Sequence, residues 1–451
     1  MRNILVFFFM VWASFLKAQN TLVGYVLSAE DSLPLQGAFV LLNDEFAAYA
    51  DQNGRFEING MGQPPQALRW QIRHLGYQVL NQKDVGEVNE IRKFYLTSEM
   101  YLENVLKVTP GPKVVLGSEQ WNIGDFCWDL NGDMIVLTYQ DEDRWKPQAL
   151  SKKTLFRGGK LLRLDKGNVP LIDIETDQSA FQQIEIPGIV LGFYDQFPGE
   201  IIIEGLDGYF LLHLNSTEWD LIPLPDSVMK KNIRPVVDTI GKQQYVISDY
   251  EPSYPAFDYF IELDGKWNAF HHIQDEKEME LFRSEYKYLG PKEKVEAYQF
   301  ELDHGIDKEV VAAYMRGFQN THYHQPLYAP LVILSDTMMV FDHVHHEVSF
   351  FSKKGENLGK KEIQYHQLKD LGKWMGKVWK DSFTKRIYTS YKKAGKVSLI
   401  EIFPSQQRVE LKMQLTHAYV EKIKIRDGEI YYIYKPFEST KKRYLYKERI
   451  P

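Results

Sequence analysis

Two clusters of histidine give this chain its clearest potential for chemistry, because neutral imidazole is a common ligand for transition metals. Asp342 or Glu347 would add an oxygen ligand to such a site. The alternative is that the clusters are only a solvated loop and a polar hairpin turn. The histidines predicted as metal ligands are His322, His324, His343 and His345.

The spacing of these clusters around two apolar runs predicts that they share one surface. The first cluster precedes the run at 331–334, and the second follows the run Met338–Asp342. If 331–334 is the innermost strand of a sheet, the chain leaves one face along it and returns to that face along the next strand. The helical pattern at 275–320 just before it should then lie on the same face.

Two acidic segments resemble known sites only in part. Asp129-Leu130-Asn131-Gly132-Asp133 alternates like a calcium loop, but Met134 and Gln140 stand where that loop needs Gly and Glu, so a hairpin turn is favoured. Asp141-Glu142-Asp143 could be half of a paired-carboxylate hydrolase site, but no partner is identifiable. The chain has no G-x-S-x-G, Walker, Rossmann or H-E-x-x-H motif, so hydrolase and nucleotide chemistry lack their usual signals.

Aromatic residues are a further signal, since 26 Phe, 27 Tyr and 9 Trp occur among 451 residues. Most must fill cores, but rings exposed in a loop can stack on sugars or peptides. The loop-like segment around Pro252 and Pro255 is predicted to expose a binding lip. Its aromatic residues are Tyr250, Tyr254, Phe257 and Tyr259.

From Gly111 onward, short apolar runs alternate with two-residue turn signals, which indicates an all-β architecture of hairpins. The runs group into units of about 35–45 residues, the size of a four-stranded β-propeller blade. Residues 275–320 show helical spacing and are predicted to be an insertion, although a degenerate seventh blade is the alternative. The six units are 120–165, 187–225, 233–274, 328–368, 373–413 and 416–449.

The unit at 325–356 resembles blades of six-bladed propellers from exported bacterial proteins.

The amino-terminal segment 21–79 has short alternating runs and a turn at Asp51–Gly54, which predict a small β-sandwich. It resembles the carboxypeptidase regulatory-like domain of exported Bacteroidota proteins, and the tail at 101–110 resembles the strand that ends such domains. The matching positions are Gly24, Pro34, Leu35, Gly37, Ala38, Val40, Asp51, Gly54, Phe56, Gly76 and Tyr77.

This resemblance implies an Ig-like or prealbumin-like sandwich without catalytic residues, associated with interaction or structural support. His74 stands where that family usually has a small polar residue, a departure that concerns local packing.

Residues 1–18 are predicted to be a cleavable secretory signal, with Arg2 before an apolar stretch and Ala18 at its end. Its removal leaves 52 Lys and Arg against 61 Asp and Glu, a charge of −9 that argues against nucleic acid or an anionic membrane as partner. The only cysteine, Cys127, lies between aromatic residues and is predicted to be a packed thiol. It is also too far from the signal to be a lipid anchor.

We therefore expect an all-β protein with three parts: the signal at 1–18, a sandwich at 19–112 and a propeller at 113–451 with a helical insertion at 275–320. The expected function is non-enzymatic binding or scaffolding in the cell envelope, in the periplasm, at the outer membrane or outside the cell. A protein or glycan partner would bind on the propeller face. The alternative is a lyase or hydrolase that acts on a polysaccharide or lactone with a divalent transition metal. No other cofactor is expected.

Overall fold

The computed structural model describes residues 20–451 with several gaps, and the chain divides into two compact units after Tyr101. The predicted signal, the tail apart from Leu102–Asn104, and the acidic segment 141–143 lie outside the described residues. The gaps are 30, 62–67, 85–90, 98–101, 105–110, 141–143, 146–154, 165–183, 196, 198, 215–218, 242–243 and 437–441.

The first unit is a two-layer β-sandwich, which confirms the predicted fold of this segment. One sheet has the order β4-β1-β7 with β1 and β7 parallel, and the other has the order β3-β2-β5-β6. Alternate side chains of β1, β2, β4, β5 and β7 meet between the sheets, as period-two strands require. The strands are β1 (Asn20–Ser28), β2 (Phe39–Leu42), β3 (Phe46–Tyr49), β4 (Arg55–Met61), β5 (Leu68–Arg73), β6 (Leu80–Asp84) and β7 (Arg92–Leu96).

The turn before β4 shows why the sequence needs its glycine here. Gly54 has a φ of 71°, and a Cβ at this position would lie 2.5 Å from the Val26 carbonyl oxygen. The carboxylate of Asp51 accepts hydrogen bonds from the backbone N–H groups of Asn53 and Arg55. Glycine therefore permits both the left-handed backbone and the close approach to β1.

The second unit consists of antiparallel sheets with a helical segment between two of them. Its first strands are β8 (Leu102–Asn104), β9 (Lys113–Leu116), β10 (Asn122–Trp128), β11 (Met134–Tyr139), β12 (Arg144–Trp145), β13 (Leu155–Leu164), β14 (Ile184–Tyr194), β15 (Ile201–Gly205), β16 (Tyr209–Leu214) and β17 (Trp219–Leu224). They are followed by β18 (Val236–Thr239), β19 (Tyr245–Ser248), β20 (Ala256–Leu263), β21 (Lys266–Gln274), β22 (Leu331–Leu334), β23 (Thr337–Asp342), β24 (Glu347–Ser352) and β25 (Asn357–Glu362). The last are β26 (Lys373–Asp381), β27 (Arg386–Lys393), β28 (Lys396–Phe403), β29 (Arg408–Ala418), β30 (Glu421–Arg426), β31 (Glu429–Tyr434) and β32 (Tyr444–Arg449).

These strands form six successive four-stranded meanders, the order of a six-bladed β-propeller, so the predicted fold class is confirmed. The first two meanders share the long strand β14, which pairs with β13 in its first part and with β15 in its second. The next three are β18–β21, β22–β25 and β26–β29, and β8 adds a parallel edge to the last of these. The sixth is β30-β31-β32-β9, so its outer strand comes from the beginning of the unit.

The segment between β21 and β22 is helical, so the alternative of a seventh blade there is wrong. Three helices, α1 (Glu276–Ser284), α2 (Pro291–His304) and α3 (Lys308–Arg316), follow one another, with a short 3₁₀ turn at Phe318–Asn320. Their ends follow local rules: Asp275 and Asp307 cap α1 and α3, and Gly305 and Gly317 end α2 and α3 in the left-handed conformation. None of the helices in the described part of the chain is long and apolar enough to cross a membrane.

One buried carboxylate joins the inner strands of three meanders. Asp125 of β10 is 1% exposed, and its Oδ2 lies 2.8 Å from Lys422 Nζ of β30 and accepts the Phe193 N–H of β14 at 3.1 Å. Lys424 Nζ lies 3.6 Å from the other oxygen. Burial alone would raise the pKa of Asp125, but Lys424 and Lys422 hold it below its usual value.

We expect Asp125→Asn to destabilise the second unit by about 3 kcal/mol, because it removes the buried carboxylate that pairs with Lys422 and Lys424 across the meanders. The pKa of Asp125 is lowered in the folded protein, so this stabilisation is present above the unfolded value of 3.8 and is lost as the pH falls through the folded pKa. Urea unfolding of both proteins at pH 7 and near pH 3 measures the difference.

The matched control is Asp336→Asn, which removes an exposed carboxylate paired with Lys353 in the same unit. This change should leave the midpoint of unfolding unaltered, because exposed ion pairs contribute little. Equal stability of Asp125→Asn and the parent protein would show that Asp125 does not tie the sheets together.

Candidate functional site

A cavity of about 420 Å³ opens at the carboxyl ends of four inner edge strands, β10, β14, β26 and β30. Its wall combines cationic, acidic and aromatic side chains with the backbone of the adjoining turns. The residues that supply its charged and aromatic groups are Trp128, Asp129, Phe193, Tyr194, Asp195, Phe197, Glu200, Lys377, Trp379, Lys380, Lys424 and Arg426.

A β-bulge in β26 brings Lys377 to this cavity. Trp374 pairs with Tyr391 and Val378 with Thr389, so β26 has two more residues than β27 over this stretch. Gly376 takes the left-handed conformation that the bulge needs, with a φ of 66°. Bulges of this kind redirect a side chain away from the regular alternation of the strand, and here the residue after the glycine lines the cavity.

Hydrogen bonds fix this bulge on both sides. The indole N–H of Trp374 donates to Thr389 Oγ1 at 2.7 Å, and the Thr389 hydroxyl donates to the Lys377 carbonyl at 2.8 Å. The backbone N–H of Val378 donates to the Tyr328 hydroxyl at 2.8 Å. The position of Lys377 is therefore set by neighbouring strands and by the segment before β22.

Lys377 carries a charge that no described carboxylate neutralises directly. Its Nζ lies 5.7 Å from the centre of the Trp379 ring, and no ion pair joins it to a described residue. Burial lowers the pKa of Lys377, and the more distant Asp195 opposes this effect. An anion that entered the cavity would restore the lost solvation of this ammonium group.

Arg426 is a second cation without a described carboxylate partner. Its guanidinium lies 5.3 Å from the ring centre of Trp128 and 4.7 Å from that of Phe383. Such stacking leaves the N–H donors at the edge of the guanidinium plane free for a planar anion.

The two remaining lysines of the wall are already paired. Lys424 Nζ lies 2.6 Å from Asp195, and Lys380 Nζ lies 2.5 Å from Asp238 of β18. These pairs add to the Asp125 network and hold the wall in place. The positive charges available to a ligand are therefore those of Lys377 and Arg426.

The predicted histidine clusters lie on the other side of the propeller, beside the amino end of β22, and both contact helix α1. His324 Nδ1 lies 2.6 Å from Glu278, and His345 Nε2 lies 3.1 Å from Glu276. This arrangement confirms the prediction that the helical insertion and both clusters share one surface.

The structure does not bring the four predicted histidine ligands into one set. His324 Nε2 faces the Pro252 carbonyl at 2.8 Å, so each of its ring nitrogens must carry a proton for both of its hydrogen bonds to form. His345 likewise faces two carboxylates, and the hydrogen bond to Asp342 is the main cause that raises its pKa. Protonated nitrogens that donate to acceptors are not available to a metal.

The other two histidines have different surroundings. His343 Nδ1 lies 2.8 Å from the Tyr328 carbonyl and its Nε2 lies 2.7 Å from the Tyr365 hydroxyl, and burial lowers the pKa of His343 to about 4. His322 is exposed. Among the described residues, no group of three or more His, Cys, Asp or Glu is placed to hold a metal ion.

The prediction that four aromatic residues form an exposed binding lip is wrong for two of them. Phe257 and Tyr259 are only 5% and 4% exposed, because the segment after Pro255 is strand β20 and its side chains enter the core between the third and fourth sheets. Tyr259 donates its hydroxyl to the Ala329 carbonyl. Tyr254 packs against Phe282 of α1, and Tyr250 is 39% exposed.

Sequence analysis missed the residues that line the cavity and one part of the histidine surface. Lys377 follows a glycine within a strand, which is a recognised signal of a bulge. His366 and Gln367 follow β25, the fourth strand of their sheet, and so return to the face that carries the 343–346 turn. The strand-direction argument used for the other histidines would have found them.

We expect Glu278→Gln to loosen the helical insertion, because Glu278 and His324 are buried together with side chains only 6% and 7% exposed. Loss of one partner of a buried pair costs about 3 kcal/mol, so amide exchange in 276–320 should become faster by roughly 100-fold. Hydrogen exchange read by mass spectrometry measures this change.

Glu280→Gln is the control, since Glu280 is an exposed residue on the same helix. Exchange in the insertion should be unaltered in this variant, and exchange in the sheets should be unaltered in both. An unchanged insertion in Glu278→Gln would mean that the buried pair does not hold it.

Neither a family model nor a curated protein sequence matches this chain. Solved structures with some similarity include a luciferin-regenerating enzyme, which is 9% identical with a TM-score of 0.34 over 75% of this chain and 95% of that one. Another is a protein described as a putative gluconolactonase, which is 11% identical with a TM-score of 0.34 over 75% of this chain and 92% of that one. A third is the calcium-binding protein regucalcin from Agrobacterium tumefaciens, which is 9% identical with a TM-score of 0.30 over 77% of this chain and 95% of that one. At these TM-scores the similarities assign no residue and no activity to this chain.

Proposed function

We propose that this protein is an exported, non-enzymatic binding protein whose propeller takes an acidic saccharide into the cavity at the carboxyl ends of its inner strands. The observation that carries the proposal is the pair of cations, Lys377 and Arg426, that line this cavity without a described carboxylate partner. The cavity volume of about 420 Å³ lies in the range of about 300–1,000 Å³ that is usual for small-molecule sites.

A carboxylate matches the donors that the wall offers. The Arg426 guanidinium can donate two parallel hydrogen bonds to a carboxylate, and the Lys377 ammonium can add a charge-assisted bond. Both lie beside aromatic rings that keep water from one side of the charge. A ligand with a carboxyl group therefore gains more here than a neutral one.

The aromatic lining favours a sugar as the carrier of this acid group. Trp128, Phe193, Tyr194 and Trp379 line the same cavity as the two cations. Aromatic faces stack on the apolar faces of sugar rings. Uronic acids combine such a ring with a carboxylate, and this combination suits the cavity better than an Asp or Glu side chain, which has no ring of its own.

Two carboxylates at the cavity serve ion pairing and not proton transfer. Asp125 and Asp195 both form ion pairs with lysines at distances of 2.6–2.8 Å, so neither is arranged to exchange a proton with a substrate. The alternative, a metal-dependent lyase or hydrolase, would need the predicted histidines to converge, whereas His324, His343 and His345 each bind other groups.

The amino-terminal sandwich would serve to dock the protein to an envelope partner. Its resemblance to carboxypeptidase regulatory-like domains supports this role, as does the predicted export signal. In this proposal the sandwich attaches the protein to its envelope partner, and the propeller binds the saccharide.

We expect Lys377→Met to weaken binding of a short polyuronate oligosaccharide by about tenfold or more, since a hydrogen bond to a charged group contributes about 1.5–3 kcal/mol. Arg426→Gln should have a similar effect. The carboxyl-reduced, neutral form of the same oligosaccharide should bind the parent protein more weakly. Titration calorimetry with the full chain measures all four cases.

Lys369→Met is the control, because Lys369 is exposed and lies outside the cavity. Equal affinity for the acidic and neutral forms would overturn the proposed specificity. Cleavage of the oligosaccharide during the titration would instead favour the lyase or hydrolase alternative.

The proposal also predicts how binding depends on pH. The pKa of Lys377 is lowered by burial, so its ammonium charge is lost at a lower pH than the 10.5 of an ordinary lysine. Affinity for the oligosaccharide should therefore fall as the pH rises through this lowered pKa. In Lys377→Met this component of the pH profile should be absent.

A further inference from the structure

A dense group of lysines lies at one end of the fifth meander. Lys373 of β26 pairs directly with Lys392 of β27, and Lys393 pairs with Lys396 across the turn between β27 and β28. We call these four residues the lysine patch. Like charges directly opposite each other on neighbouring strands are destabilising, so this arrangement is unfavourable for the isolated chain.

The charge of the lysine patch is not neutralised within the part of the chain that the structure describes. Lys393 Nζ donates to the backbone carbonyl of Asp370 at 3.0 Å, and Lys396 Nζ donates to that of Thr416. None of the four lysines forms an ion pair with a described carboxylate. Carboxylates of another molecule would therefore stabilise this surface.

Contacts around β26 and β27 place the lysine patch beside the predicted histidine clusters. Trp374 follows Lys373 in β26, and its ring centre lies 4.7 Å from that of His343. At the end of β27, the Tyr391 hydroxyl donates to the Tyr365 carbonyl at 2.6 Å. The lysine patch and the helical insertion therefore share one face of the propeller, and the saccharide cavity opens on the other face.

An exposed tyrosine lies over the same hairpin. Tyr419 is 70% exposed and has a φ of 58°, the left-handed conformation that side chains other than glycine rarely adopt. Its backbone N–H donates to the Gly395 carbonyl at 2.8 Å, and Lys392 Nζ lies 5.7 Å from its ring centre. A strained, exposed aromatic residue beside cations indicates a binding surface, and tyrosine is enriched among the residues that dominate protein interfaces.

Helix α2 of the insertion exposes an apolar stripe with an acidic edge. Val295, Tyr298 and Leu302 are all at least 50% exposed, and their spacing of three and four residues places them on one side of the helix. Glu296 and Asp303, each one position later, are exposed along the edge of this stripe. The insertion at 275–320 carries 11 Asp and Glu against 7 Lys and Arg. Such a surface matches a partner that is basic and partly aromatic.

We propose that two copies of this chain pair face to face, with the α2 stripe of each copy against the lysine patch and Tyr419 of the other. The two surfaces are complementary in charge and belong to the same face of one molecule. A two-fold axis then brings each surface to its complement on the second copy, so that every contact occurs twice. Glu296 and Asp303 supply the carboxylates that the lysines lack.

A second copy fits both surfaces, whereas an anionic polymer or membrane fits only one of them. A polyanion would cover the lysines but would leave the α2 stripe in water, and the acidic insertion on the same face would repel it. The net charge of −7 for the whole chain opposes an anionic membrane in the same way. Face-to-face pairing also leaves the saccharide cavity open, so the two sites are independent.

The test is sedimentation velocity of the full chain over a range of protein concentrations, at about 0.1 M and about 1 M salt. We expect a dimer whose dissociation constant rises about tenfold or more at the higher salt, because the screening length falls from about 10 Å to about 3 Å. Tyr419→Asn should weaken the dimer by a similar factor. Asn tolerates the left-handed backbone of position 419, so this variant should keep its fold.

Charge reversal tests the pairing of the two surfaces directly. Lys392→Glu with Lys393→Glu should raise the dissociation constant about tenfold or more, and Glu296→Lys with Asp303→Lys should do the same. The lysine-patch variant should stay folded, since a carboxylate at either position faces a lysine on the neighbouring strand. The four changes together should restore the dimer, because the two surfaces again carry opposite charges.

Lys354→Glu is the control, because Lys354 is an exposed lysine in the β24–β25 turn, at the other end of the fourth meander. It should leave the dimer unaltered. A monomer at both salt concentrations would overturn the proposal, as would a dimer that persists in both charge-reversed variants.

A dimer that is lost in the lysine-patch variant but kept in the α2 variant would also overturn it, since the lysines would then bind another surface. Binding of a polyuronate to a monomer, lost in the lysine-patch variant but kept in Lys377→Met, would identify an anionic polymer as the occupant instead. Sedimentation without saccharide gives a result that is separate from the test of the cavity.

Discussion

The buried carboxylate of Asp125 is the constraint on which the inner part of the propeller depends. Removing a carboxylate from water costs several kcal/mol, and this cost must be offset by groups that come from other sheets. Lys422 lies 297 residues later in the chain, and Phe193 comes from the neighbouring sheet. Gly192 makes the contact possible, since a Cβ there would lie 2.4 Å from the carboxylate. Asp125 therefore ties the first, second and sixth meanders together at their inner strands.

The ion pairs around Asp125 also determine which cations of the adjoining cavity are left without a carboxylate. Lys424 is shared between Asp125 and Asp195, and Lys380 is committed to Asp238. The charges of these lysines are already neutralised by carboxylates. Lys377 and Arg426 rest on aromatic rings, so their positions are also set, but their charge is not used. A preorganised, unsatisfied cation loses little entropy on binding an anion, which favours recognition.

The sequence was sufficient to predict the features that depend on local pattern. Strand alternation and hairpin turns located the six meanders, and helical spacing located the insertion, because both signals lie within ten to twenty residues. Strand direction correctly brought α1 to His324 and His345. Which ring nitrogens are already occupied depends on residues such as Pro252 and Glu278, which are distant in sequence. For the same reason Phe257 and Tyr259 were placed in a loop, although pairing with β19 and β21 makes them core.

Strand β26 connects the histidine cluster around Tyr365 with the cavity on the other face of the propeller. Near its start, Trp374 lies 5.7 Å from the ring of His366 and 4.7 Å from that of His343. Three residues later, Lys377 lines the cavity at the carboxyl ends of the inner strands. The two extra residues of the bulge make this possible, because a regular strand would keep both side chains in the alternation that packs against neighbouring sheets. The Thr389 hydroxyl, which bonds to both residues, fixes them relative to each other, so the local geometry of one strand orients groups on both faces.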